Sequence, residues 1–163
     1  MTPQTRVVQI NISDGGVPKR PIAEAAVGPL GVSGDRQANT EHHGGPERAL
    51  CLFSLERLEA LQAEGHPIGP GDAGENITIT GLDWDQVAPG RQIRLGDDVV
   101  IEITGYAQPC SKISANFHDR DSNRINQETN PGWSRTYARV IVGGALRAGD
   151  GVALLSDASA HAG

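Results

Sequence analysis

The chain has 163 residues, enough for one domain with one real core. Its 14 Lys and Arg against 20 Asp and Glu leave a net charge of −6, which excludes the broad basic footprint of non-specific nucleic-acid binding but permits a local basic pocket. Residues 1–6 are polar and no stretch approaches the roughly 18 apolar residues of a spanning helix, so no signal peptide, no membrane association and a cytoplasmic setting are expected.

Residues 5–12 predict a first strand, rich in β-formers (Val7, Val8, Ile10, Ile12), and Asp14-Gly15-Gly16 a turn. A second strand is predicted over 22–27. Residues 28–46 are too polar for core and long for an idle connector, which points to a functional loop. Residues 48–53 predict a buried strand, followed by a helix capped by Ser54 with Leu55, Leu58 and Leu61 at helical spacing, stopped at Gly65. Residues 76–80 alternate isoleucine and threonine, a strand with one buried face. A hairpin is predicted from 93–95 and 99–104 about Gly96-Asp97, a short helix over 111–117, a polar loop over 119–132, and final strands over 137–142 and 152–155. Residues 156–163 read as a frayed tail, so the domain is 1–163 with a core over about 5–155. About eight short strands and one or two short helices predict a mainly β fold, a closed or nearly closed barrel that removes exposed edges.

Cys110 is the sharpest chemical feature. It follows Pro109 at a strand end and precedes the predicted helix, where unpaired N–H groups and Lys112 favour a thiolate able to ligate a soft metal or attack sulfur. Without a secretory signal, it and Cys51 read as reduced thiols, and Cys51, between Leu50 and Leu52, reads as core. His43 with Gly44 and Gly45 forms a loop able to bring an imidazole and backbone N–H groups to an anion, whereas His42 reads as solvated. No paired ligand spacing supports zinc. At strand period Arg135, Arg139, Trp133 and Tyr137 share a face, which suits phosphate forks and stacking on a flat heterocycle, or equally an exposed face with two solvated arginines.

The ordered set Gly34-Asp35, His43-Gly44-Gly45, Gly74-Glu75-Asn76, Pro109-Cys110, Pro131-Gly132-Trp133-Ser134-Arg135, Tyr137-Ala138-Arg139-Val140 and Gly149-Asp150 resembles the MOSC domain family, named after the C-terminal domain of molybdenum cofactor sulfurase. The resemblance covers residues 5 to 155, in the form of a short stand-alone bacterial-type member. It implies a β-barrel like the small domain of pyruvate kinase. It implies binding of the molybdenum cofactor (molybdopterin), not pyridoxal phosphate, with Cys110 as molybdenum ligand and catalytic thiol. Lys112, Arg135 and Arg139 would lie near the pterin phosphate; His43, Gly44, Gly45, Arg48, Gly74, Glu75, Asn76, Trp133 and Ser134 would line the same pocket. The chain departs from the pattern of several members in three places: Arg48 stands for a lysine, Ala73 for an aromatic residue, and the pair Ala107-Gln108 where an arginine occurs. Two cysteines cannot hold a Cys₄ iron–sulfur cluster, so electrons for an oxidoreductase come from a separate donor protein. The implied activity is reduction of an N-hydroxylated small molecule. A sulfur or cofactor carrier using a Cys110 persulfide is the second reading. A cysteine hydrolase pairing Cys110 with His43 is the third, with Asp35 or Glu75 to orient the histidine.

Overall fold

Residues 5–13, 19–34 and 46–157 are described by the computed structural model of the chain. β1 (Arg6–Ile12) turns Val7 and Ile10 fully into the core. β2 (Arg20–Ile22) pairs with it, and β3 (Glu24–Gly28) leaves for a second sheet with β4 (Gly31–Val32). The strand predicted over 22–27 is therefore two strands, divided at Ala23.

A 3-10 turn at Pro46–Arg48 precedes β5 (Leu50–Ser54), which is buried throughout. Ser54 then caps α1 (Leu55–Ala63): its hydroxyl accepts the Arg57 N–H at 3.2 Å, a contact worth about 1 kcal/mol. Leu58 and Leu61 face the core, and Gly65 follows the helix at φ +97°. α1 is a crossover: β6 (Ile77–Thr80) runs parallel to β5 and antiparallel to β1. Because α1 packs on β5 and β6, both faces of β6 are covered, and the face predicted to be wet is buried. Thr78 is satisfied there, donating to Glu75 Oε2 at 3.0 Å and accepting from Asn11 Nδ2 at 3.2 Å.

β7 (Arg91–Leu95) and β8 (Val99–Tyr106) form the predicted hairpin, and β9 (Thr136–Val142), β10 (Gly144–Arg147) and β11 (Val152–Asp157) complete the set. The main sheet has the order β11-β7-β8-β9-β5-β6-β1-β2, and a three-stranded sheet the order β10-β3-β4. The mainly β fold expected from the sequence is present, with one correction: the large mixed sheet does not close fully into a barrel. Among the described residues its two sides meet through a bridge between Arg6 and Gly151, flanked by a Val7 N–H to Asp150 bond of 2.8 Å and a Gly149 N–H to Val7 bond of 2.7 Å. No ladder develops because the segment facing β1 there is the glycine turn into β11, and β1 gives the rest of that edge to β2.

Between β8 and β9 the chain makes 3-10 turns at Ser111–Asn116 and Ser122–Ile125, where the sequence predicts a short helix and a plain loop. They bury Ile113, Phe117 and Ile125 against the core that includes Phe53, Ile77, Ile93 and Ile101. Among the described residues no helix is long and apolar enough to cross a membrane.

Candidate functional site

The site forms where β5, β9 and the end of β8 meet. In register, Cys51 of β5 lies opposite Tyr137 of β9, and Tyr137 lies opposite Gly105 of β8. The chain then leaves β8; the Ala107 N–H bonds the Arg135 carbonyl at 3.0 Å, and three residues later Cys110 enters the 3-10 turn. Cys110 is half-buried, with φ −128° and ψ 171°, and its carbonyl accepts the Ile113 N–H at 3.2 Å. Cys51, Ala107 and Tyr137 form a small buried cluster of their own, and the Arg48 guanidinium sits 5.2 Å from the Tyr137 ring centre. Burial, aided by the neighbouring Cys51 and Cys110 thiols, pushes the Tyr137 phenol up to about 12 against the pull of Arg135 and Arg48. It is therefore a hydroxyl donor at neutral pH. Cys51 is buried as predicted, but on the Tyr137 side and outside the main core; strand alternation in β5 turns it there, a placement that its apolar neighbours conceal.

Beside this cluster lie a buried cation and a buried acid. Arg135 is 5% exposed; its Nη1 donates to the Ala73 carbonyl at 2.7 Å, while Nε and Nη2 are buried without a partner among the described residues. Glu75 is fully buried; its Oε2 accepts the Gly71 N–H and the Thr78 hydroxyl, each at 3.0 Å, while Oε1 has no partner among the described residues. Burial raises the Glu75 carboxyl to about 7, against those hydrogen bonds and the charge of Arg135. The turn that delivers the Gly71 N–H requires glycine: φ is +86°, and a Cβ would lie 2.6 Å from the Lys19 carbonyl oxygen.

Residues 39–153 match the MOSC domain. The chain belongs to the MOSC domain family. Over 94% of its length it is 31% identical to the uncharacterized protein YflK of Bacillus subtilis and covers 69% of that protein. It is 32% identical over 77% of its length to a protein named reductase from Gibberella moniliformis, of which it spans 22%. It is 35% identical over 64% of its length to YiiM of Escherichia coli, of which it spans 48%. The crystal structure of YiiM from Geobacillus stearothermophilus superposes with a TM-score of 0.74 at 26% identity, covering 93% of this chain and 75% of that one.

The remaining residues predicted for the MOSC site have diverse surroundings. Asn76 Oδ1 accepts the Cys51 N–H at 3.0 Å and fixes β5 beside Tyr137, and Gly74 turns the chain at φ +86°. Lys112 is exposed, two residues beyond Cys110. Arg139 bonds Glu102, its register partner on β8, through Nη2 at 2.9 Å, while its Nε is buried without a partner among the described residues. Trp133 is already in contact with two cations: the Arg57 and Arg124 guanidinium carbons lie 4.7 and 3.9 Å from its ring centre. Ser134 is buried, with its hydroxyl on the Ala107 and Arg135 carbonyls and its own carbonyl held by Trp84 Nε1 at 2.8 Å. Together these contacts lock the chain on the approach to Arg135. His43, Gly44, Gly45 and Asp35 lie outside the described residues. Sequence spacing had no signal for Arg57 or Arg124, whose roles depend on α1 and the Ser122–Ile125 turn meeting at Trp133.

Proposed function

We propose that this MOSC domain binds the molybdenum cofactor, with Cys110 as its metal-facing thiol, and reduces N-hydroxylated small molecules with electrons from a separate donor protein. The observation that carries the reading is the pair of buried Arg135 donors without a partner among the described residues, on a residue whose carbonyl holds the Ala107 N–H three residues before the half-buried Cys110. Buried donors of this kind are costly unless a ligand completes them, and a guanidinium fork suits a phosphate group. Cys110 adds a soft donor of the class that molybdenum accepts. The residues present thus fit the cofactor: Arg135 for its phosphate and Cys110 for its metal, with Arg48, Asn76 and Lys112 around them.

When bound, the cofactor supplies a two-electron redox centre; the protein supplies position and electrostatics. The net change is cleavage of an N–O bond with two electrons and two protons, releasing an amine-type product and water. Tyr137 is held protonated by its surroundings, so it brings a neutral phenol and no second negative charge to the neighbourhood of the two cysteines. The locked backbone before Arg135 keeps the anion clamp in place relative to Cys110 through the Ala107–Arg135 bond.

The test is purification from a host that makes the cofactor, followed by metal analysis and oxidation of a reduced viologen dye on addition of a hydroxylamine. Stoichiometric molybdenum and dye oxidation, both lost in Cys110→Ser, are the expected results. Persulfide on Cys110 without molybdenum establishes the sulfur-carrier reading instead.

A further inference from the structure

We infer that Glu75 works as a neutral carboxylic acid which, with Arg135, forms a single receptor for a fully deprotonated phosphate-type oxyanion, so that ligand entry is coupled to proton uptake. The inference rests on reading this pocket as the place of the cofactor phosphate. It goes beyond that reading by assigning Glu75 a donor role and the site a pH dependence.

The geometry of the unused valences supports it. Arg135 spends Nη1 on Ala73, which leaves Nε and Nη2, the two positions of its side-on fork, without partners. Glu75 lies two residues beyond Ala73, so the same loop carries the contact that holds Arg135 and the acid. The two side chains do not bond each other, although the charge of Arg135 acts on the carboxyl. Their free atoms are Arg135 Nε, Arg135 Nη2 and Glu75 Oε1, all three buried.

Hydrogen bonding decides which Glu75 oxygen carries the proton. Oε2 already accepts a backbone N–H, which can only donate, and the Thr78 hydroxyl. The proton therefore sits on Oε1, the oxygen without a partner, and turns it from an acceptor into a donor. Three donors then serve one anion. An ionised Glu75 would instead bring a second negative charge to the ligand in a dry site, so it must take up a proton when an anion binds. The position of the carboxyl near neutrality makes that uptake accessible in the working range.

Other ionisable residues on the segments around Glu75 are Cys51 on β5, Lys19 ahead of β2, Asp72 on the same loop and Arg135; β1 and β6 present the neutral Asn11 and Thr78. Glu75→Gln isolates the carboxyl from all of them, because its amide keeps a donor without titrating.

The probe is sulfate, which does not titrate near neutrality, so any pH dependence belongs to the protein. Sulfate binding to the full chain is measured by calorimetry from about pH 5.5 to 8.5, in buffers of different ionisation enthalpy. The expected result is an affinity that falls toward tenfold per pH unit above about 7, with proton uptake approaching one per sulfate. Glu75→Gln, shown folded by its thermal melt, is expected to bind at the low-pH affinity of the parent without that fall or uptake. Binding without proton uptake in the parent overturns the inference, whether or not the variant folds. So does a folded Glu75→Gln that loses sulfate or keeps the parent's pH profile, and so does an absence of sulfate binding that Arg135 should support. Proton-coupled sulfate binding in a chain that never carries molybdenum leaves the receptor standing and overturns only the cofactor as its ligand.

Discussion

Glu75 makes the stability of the protein depend on pH in a direction opposite to that of most carboxylates. Its carboxyl lies at about 7 in the folded chain against 4.5 in the reference state, mainly because it is completely buried. The folded state therefore holds a proton that the unfolded state releases. The stabilisation is fully present below about pH 4.5 and is lost as pH rises through about 7. A shift of this size corresponds to roughly 3 kcal/mol at about 1.4 kcal/mol per unit. Urea denaturation at intervals from about pH 4.5 to 8.5 measures it, compared with Glu75→Gln so that other titrating groups cancel. The difference between parent and variant should grow in favour of the variant by about 3 kcal/mol over that range and level off above about pH 8. A constant difference would refute the burial argument. A difference of opposite sign would show that the Arg135 charge outweighs burial and that the pair is an ordinary buried ion pair.

Arg135→Ala should weaken cofactor retention by about 1.5 to 3 kcal/mol for a charged hydrogen bond, read as molybdenum remaining after dialysis. Arg139→Ala should leave retention unchanged, because its partner is Glu102; equal losses in the two would contradict the placement. Cys51→Ala should cost about 1 to 2 kcal/mol in urea unfolding yet keep molybdenum, and loss of metal at full stability would make Cys51 a second functional thiol. Ser54→Ala should cost about 1 kcal/mol through loss of the α1 cap, measured by the same unfolding curves, with no change in metal content.

Much of this arrangement follows from residues close together in the chain. The β-formers of β1, the Gly96-Asp97 hairpin, the Ser54 cap with its leucine spacing, and the placement of Cys110 between a strand and a turn are local patterns, set by backbone propensity and side-chain period. The ordered motifs likewise point to the MOSC family without knowledge of any contact. Other features depend on elements far apart in sequence. β6 alternates like a half-exposed strand and is buried on both faces because α1 covers it. Arg135 and Arg139 are equivalent by strand period, yet Ala73 from one loop and Glu102 from β8 give them different surroundings. Trp133 resembles a stacking platform for a ligand, but α1 and the Ser122–Ile125 turn bring Arg57 and Arg124 onto its ring. The state of Glu75 is likewise tertiary: a glutamate after a glycine is an ordinary loop residue, and only its enclosure by β1, β6 and the Gly71 turn removes the water that would keep it ionised. Period and propensity act along the chain, whereas desolvation and charge pairing are decided by the neighbours that folding brings together.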